Sequence, residues 1–148
     1  MNLYNYHNNP EELYKYEIFG MVQQEELDVF WEHMKLEDFV GKDISEVLKY
    51  PNIAYAYALK VIKGRWEEGE DIISSQARES YLYALNVLEN EFIKGEDAIA
   101  KNVSDSTAYA INVLKGRFPK GEAIIKRSGK LYWDDYTGSL DQLKNRSY

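Results

Sequence analysis

The sequence predicts an all-α protein, a right-handed αα-repeat stack of short helix–turn–helix units. Three similar segments, YAYALKVIKGRWEEGEDII, YLYALNVLENEFIKGEDAI and TAYAINVLKGRFPKGEAII, begin at residues 55, 81 and 107, so the repeat has a period of 26 residues without gaps. Apolar residues cover about half the circumference of each first helix, which is typical of a helix packed on two sides. Each unit is too small to bury its own apolar face, so stacked units are expected to share one core.

The first helix of each repeat is predicted to begin near Pro51, Ala77 and Val103. Proline suits the first helical turn, where its missing N–H has no partner to lose. Ser75 and Ser104 are the predicted N-caps of the second and third repeats, because a short hydroxyl side chain accepts a bond from the first free N–H groups.

The first helix should stop at a residue that tolerates left-handed backbone, which glycine and asparagine do best. The candidates are Gly64, Asn90 and Gly116. An aromatic residue and a second, shorter helix follow in every copy. The predicted features of that segment are the aromatic residues Trp66, Phe92 and Phe118, the first-turn acids Glu70, Glu96 and Glu122, the close-approach glycines Gly69, Gly95 and Gly121, and the apolar anchors Ile73, Ile99 and Ile125.

The whole chain, residues 1–148, is predicted to form one domain with a cap at each end of the repeats in 51–128. Residues 1–50 are predicted to be an acidic N-terminal cap with a degenerate repeat, because GKDI at 41–44 resembles GEDI at 69–72 and a helix is expected at about 22–37. Residues 129–148 are predicted to be the C-terminal cap or tail.

Composition narrows the classes of function. The chain has no cysteine and no apolar run of membrane-spanning length, so we expect a soluble cytoplasmic protein that does not enter membranes. His7 and His33 lack metal-ligand spacing, and no catalytic constellation or phosphate loop is present, so we expect no metal, no cofactor and no catalytic residues. Direct nucleic-acid binding is disfavoured because no basic stripe is evident.

Charged residues recur across the turns. Arg65 and Glu70, like Arg117 and Glu122, stand at a fixed offset. A local ion pair that braces the turn is the favoured interpretation, and a paired polar site for a ligand is the alternative.

Four positions on the first helices are candidates for contact with another chain. Tyr57, Tyr83 and Tyr109 lie at the border of the apolar arc, so they form either an aromatic row facing a partner or the edge of the core. Leu82 lies on the face predicted to be exposed. Association with further copies of the chain is left open.

The excess acidity is confined to one segment. Residues 1–50 contain eleven Asp and Glu against four Lys and Arg, which equals the net charge of −7 of the whole chain. In EELDVFWEHMK, Glu25, Asp28 and Glu32 share one side of the predicted helix. They form either a solvated face or a surface that docks on a basic partner.

The pattern YAxxVLKGRFxxGExxI, clearest at residues 110–125, resembles the short tandem αα repeats of bacteriophage and related environmental sequences. The resemblance covers residues 51–128 and implies a phage origin, a HEAT-like solenoid and a binding scaffold without catalytic residues. In a phage-encoded protein, the location would be the host cytoplasm. We therefore expect a non-catalytic protein-interaction module, an anti-defence protein that inhibits a host nuclease or CRISPR effector by occupying its basic surface. The alternatives are a helical repeat protein that sequesters a small ligand or nucleotide, and a structural or assembly factor of the virion.

Overall fold

A computed structural model describes residues 44–145, and every regular element in that range is a helix, which confirms the all-α prediction. The chain divides into two compact units, Met1–Ile72 and Ile73–Tyr148, which are described separately. The predicted helix at 22–37, the GKDI match up to residue 43 and the last three residues of the tail lie outside the described residues. No helix within 44–145 is long and apolar enough to cross a membrane.

The described part of the first unit contains a short helix followed by the first repeat. Helix α1 is Ile44–Val47, and α2 is Pro51–Tyr57, which continues as a π-helical segment at Ala58–Ile62. Helix α3, Glu67–Ile73, ends where the second unit begins. The predicted start at Pro51 is confirmed, with the proline in the first helical turn.

The second unit contains two further repeats and a final long helix. Helix α4 is Ala77–Tyr83 with a π-helical segment at Ala84–Leu88, and α5 is Glu96–Ile99, preceded by a 3-10 turn at Ile93–Gly95. Helix α6 is Val103–Tyr109 with a π-helical segment at Ala110–Leu114, followed by α7 at Pro119–Arg127 and α8 at Lys130–Asn145. The predicted starts at Ala77 and Val103 are confirmed.

Each first helix ends in a wide π turn that the sequence analysis did not predict. The Lys63 N–H bonds to the Ala58 carbonyl at 2.8 Å, five residues earlier. The Asn90 and Gly116 N–H groups reach back six residues, to Ala84 at 3.2 Å and Ala110 at 3.1 Å. π-Helical turns are rare, so their recurrence at one position of three repeats marks a structural rule of this repeat.

The predicted position of the left-handed residue is wrong by one. Lys63, Glu89 and Lys115 have φ of 58°, 52° and 53°, whereas Gly64 and Gly116 do not have positive φ. The closing bonds of the π turn span five and six residues, so the chain leaves the helix before it reaches the glycine. Non-glycine residues therefore carry the conformation that disfavours a Cβ atom.

The predicted serine N-caps are also wrong. Asn102 precedes α6 and accepts a hydrogen bond from the Asp105 N–H at 2.9 Å, while Ser104 lies inside the helix. The position before α4 is Gln76, whose side chain makes no capping bond. Asparagine has the short oxygen-bearing side chain that this geometry requires, one residue before the first helical residue.

The predicted core positions are buried. Ile73, Ile99 and Ile125 are fully buried. Each turn aromatic contacts the tyrosine that ends the α-helical part of its own first helix. The ring centroids are 4.8 Å apart in Tyr57–Trp66, 4.9 Å in Tyr83–Phe92 and 5.0 Å in Tyr109–Phe118. These pairs fix the second helix of each repeat against the first.

The predicted close approach at the second-helix glycines is confirmed. A Cβ atom on Gly121 would lie 2.7 Å from the Phe118 ring and 2.7 Å from the Ser106 hydroxyl. A Cβ atom on Gly95 would lie 2.6 Å from Ser80 in the same arrangement. The Ser106 hydroxyl also donates to the Ile99 carbonyl of the preceding repeat at 2.8 Å, so it joins one repeat to the next.

Candidate functional site

A buried tyrosine hydroxyl connects the last two repeats. Tyr109 on α6 is fully buried, and its hydroxyl accepts a hydrogen bond from the Phe92 N–H at 3.0 Å and donates to Glu96 at 2.7 Å. Burial, followed by the bond to Glu96, raises the pKa of Tyr109 well above its ordinary value. The hydroxyl therefore satisfies a turn N–H that would otherwise be buried without a partner.

The same arrangement recurs between α8 and the third repeat. The Tyr136 hydroxyl accepts from the Phe118 N–H at 2.9 Å and donates to Glu122 at 3.0 Å. Burial is the main cause that raises the pKa of Tyr136. Helix α8 thus takes the position that the first helix of another repeat would occupy, although its sequence does not match the repeat.

The two predicted ion pairs are present at the turns. The Arg65 Nε lies 3.1 Å from Glu70, and Arg117 makes two bonds of 2.8 Å to Glu122. The bond from Arg117 lowers the pKa of Glu122. Both arginine side chains are mostly exposed, so water screens the pairs and their effect is limited to supporting the local turn.

The structure places the predicted partner-binding residues in different environments. Tyr83 and Tyr109 are fully buried with their rings packed on the turn phenylalanines, so the structure supports the core alternative for both and not the exposed aromatic row. Tyr57 and Leu82 are half-buried, so Leu82 is less accessible than predicted. The acidic residues Glu25, Asp28 and Glu32 lie outside the described residues.

Two neighbouring depressions follow the turns of the second unit. The first, here called the middle groove, has a volume of about 290 Å³ and lies between the ends of α4 and α6. Glu89, Asn90, Asn112 and Lys115 form its polar wall. Lys115 lines both this groove and the second depression, so the two depressions adjoin at that residue.

The second depression, here called the end cleft, lies among the turn after α6, helix α7 and helix α8. Its volume is about 350 Å³, within the range of small-molecule sites. Its lining residues are Lys115, Gly116, Arg117, Glu122, Lys126, Trp133, Tyr136, Thr137, Leu140, Asp141, Leu143 and Lys144. The cleft brings together three of the residues predicted to form the third turn, Gly116, Arg117 and Glu122, with lysines that had no predicted role.

The charge in the end cleft is predominantly positive. Four lining residues are cationic and two are anionic, and one of those anions, Glu122, is already engaged by Arg117 and by the Tyr136 hydroxyl. The Lys126 ammonium lies 4.5 Å from the centre of the Trp133 ring, a cation–π contact. The cleft therefore presents ammonium groups beside an aromatic ring in a chain whose net charge is −7.

Trp133 gives the end cleft its apolar wall. The ring centroids of Trp133 and Tyr136 are 5.5 Å apart, and Trp133 precedes Tyr136 by three residues on α8. In α6, the residue three before the bridging Tyr109 is Ser106, whose small side chain packs against Gly121. In α8 a tryptophan stands at the corresponding place.

Local sequence patterns gave no signal for the end cleft. Its lysines come from a turn and two helices, at positions 115, 126 and 144, and share no helical period. The tail sequence LYWDDY, which was predicted only as part of a cap, is rich in aromatic residues and is the signal that could have indicated the cleft. Within the described residues, no group of three or more His, Asp and Glu is arranged to hold a metal ion.

Comparison with protein-family models, with curated proteins and with solved structures gives no match for this chain.

Proposed function

We propose that this protein is a non-catalytic binding module whose helical repeats hold surface side chains for contact with another protein. The observation that carries the proposal is a contrast between interior and surface. At both Phe92 and Phe118, the backbone N–H donates to a tyrosine hydroxyl that in turn donates to a glutamate. The exposed residues of the turns before these two phenylalanines differ.

The surface difference is one of charge. The turn after α4 carries Glu89 and Glu91, and the corresponding turn after α6 carries Lys115 and Arg117. All four residues are exposed. A constant interior with a variable surface is the property that lets helical repeats serve as binding scaffolds, because surface changes leave the core intact.

The proposal includes the finer architecture, a right-handed HEAT-like solenoid across residues 51–128. The 26-residue period and the recurrence of the π turn in all three repeats support it. The hydrogen bonds of Tyr109 and Tyr136 support it further, because the same joint occurs at two successive positions of the second unit.

The partner in this proposal is a basic, nucleic-acid-binding host protein, such as a defence nuclease or CRISPR effector, and the chain is its phage-encoded inhibitor. Two observations support this choice: the resemblance of residues 110–125 to phage repeats, and the concentration of the net charge of −7 in residues 1–50. Glu25, Asp28 and Glu32 are the proposed contacts, because an acidic row complements a basic surface and steers association.

The test is a pull-down from host lysate with the full chain, followed by affinity measurements on the captured protein. Changing Glu25, Asp28 and Glu32 to lysine should weaken binding by at least about tenfold, since like charges across an interface repel. Binding of the unmodified chain should also weaken as salt rises to about 0.15 M.

The matched control reverses three exposed acids outside residues 1–50, Glu68, Asp71 and Asp135, and so changes the net charge by the same amount. Binding by the control should stay close to that of the unmodified chain, and circular dichroism should show both variants folded. Equal loss in the two variants would mean that net charge alone drives capture. Unchanged binding by the first variant would remove the acidic segment as the contact.

A further inference from the structure

The end cleft joins ammonium groups to an apolar wall. Lys115, Lys126 and Lys144 line it, together with Trp133 and Leu143. Lysine is a common phosphate ligand because its ammonium is a compact point charge with three donors. An aromatic ring beside such charges suits a ligand with a flat apolar part.

In the described residues the three lysines of the cleft stand outside the ion pairs, and one of them, Lys126, already contacts the Trp133 ring. Within the described part of the chain, none of Lys115, Lys126 and Lys144 forms an ion pair with a carboxylate. The charge of Arg117, in contrast, is balanced by Glu122. Asp141 is the remaining acid of the lining, so the lysines leave a positive excess of two charges.

We propose that the end cleft binds a small organic phosphate that carries a flat apolar group, namely a nucleoside monophosphate. Its phosphate lies among the three lysines, and its base packs against Trp133 and Leu143. A volume of about 350 Å³ accommodates a ligand of this size. A long nucleic acid fits less well, because the residues outside the cleft together carry an acidic excess.

This inference goes beyond the protein-interaction role and does not depend on it. It gives the small-ligand alternative a specific site. The two proposals use different residues, Glu25, Asp28 and Glu32 in one and the lysines and Trp133 of the cleft in the other, so either can fail without the other.

Isothermal titration calorimetry at low salt tests the proposal on the full chain, with adenosine and guanosine monophosphates, adenosine and inorganic phosphate as probes. At least one nucleotide should bind, and adenosine and inorganic phosphate should each bind at least about tenfold more weakly, because each lacks one half of the ligand. The nucleotide should also change tryptophan fluorescence, and Trp133→Phe should abolish that change, although Trp31 and Trp66 remain.

The decisive variant is Lys126→Gln with Lys144→Gln, which should weaken nucleotide binding by at least about tenfold. Lys115 is kept because its left-handed backbone makes a change there structural as well as electrostatic. The matched control, Lys49→Gln with Lys101→Gln, removes two exposed lysines outside the cleft and should shift affinity by less than about twofold.

Thermal denaturation should show that every variant is folded. The proposal is overturned if no nucleotide binds at millimolar concentration, or if the two double variants bind equally well. It is also overturned if inorganic phosphate or adenosine binds as tightly as the nucleotide, since one half of the cleft would then be unused.

Discussion

Replacing Tyr109 by phenylalanine removes one buried hydroxyl and leaves the ring in place. The Phe92 N–H, now 3.0 Å from that hydroxyl, would lose its acceptor in a buried turn, whereas the partly exposed Glu96 can bond to water. A buried donor left without a partner costs about 1–3 kcal/mol. We expect the free energy of unfolding to fall by about 2 kcal/mol, with the ring contact to Phe118 retained.

Urea denaturation measures this loss. With a denaturant slope of about 2 kcal/mol per molar, the midpoint should fall by about 1 M. Hydrogen exchange gives a local check, because the Phe92 amide should exchange faster in the variant. Tyr132→Phe is the matched control: Tyr132 is 48% exposed, so its midpoint should hardly move. If Tyr109→Phe and Tyr132→Phe have the same midpoint and the Phe92 amide stays protected, the joint between repeats does not depend on this hydroxyl.

Three further predictions concern the backbone and the tyrosines. Gly121→Ala should lower the free energy of unfolding by about 1–3 kcal/mol, because its Cβ atom would clash with Phe118 and Ser106. The control, Gly138→Ala, changes an open position inside α8 and should raise the free energy of unfolding by about 0.5–1 kcal/mol. Equal urea midpoints for the two variants would refute the packing argument. Glu89→Gly should raise the free energy of unfolding by about 0.5–1 kcal/mol, because φ of 52° strains any residue with a Cβ atom; a lower thermal midpoint would contradict this. The raised pKa values of Tyr109 and Tyr136 keep both hydroxyls neutral in the folded chain while the unfolded chain ionises from about pH 10, so stability should be complete below that pH and fall above it. The Tyr109→Phe, Tyr136→Phe double variant should show a shallower decline between pH 8 and 11 in urea denaturation, and parallel declines would argue against the two hydroxyls.

Alkaline sensitivity illustrates how the interior polar bonds differ from the surface ion pairs. The hydrogen bonds of the two tyrosine hydroxyls are buried, and each joins one turn N–H to one helix. They therefore hold the turn and the helix in one arrangement. The exposed Arg117–Glu122 pair is screened by water and salt, and its removal should affect the turn more than global stability.

Local features of the sequence were enough to predict the helical class, the repeat period and the starts of the first helices. These features depend on local preferences: apolar spacing, and proline at the first helical turn as at Pro51. Burial at Ile73, Ile99 and Ile125 followed from the same periodicity. Within the candidate site, only Gly116, Arg117 and Glu122 were predicted, as parts of a turn.

The π turns, the position of the left-handed residue and the end cleft became visible only in the folded chain. The bond from Tyr136 to the Phe118 N–H joins residues 18 apart, and the Lys126 contact with Trp133 depends on the angle between α7 and α8. Residue preferences alone put the left-handed conformation on glycine, but the bonds of the π turn put it on Lys115. Local propensity contributes about 1 kcal/mol at such a residue, and hydrogen bonds and packing from neighbouring helices together outweigh it.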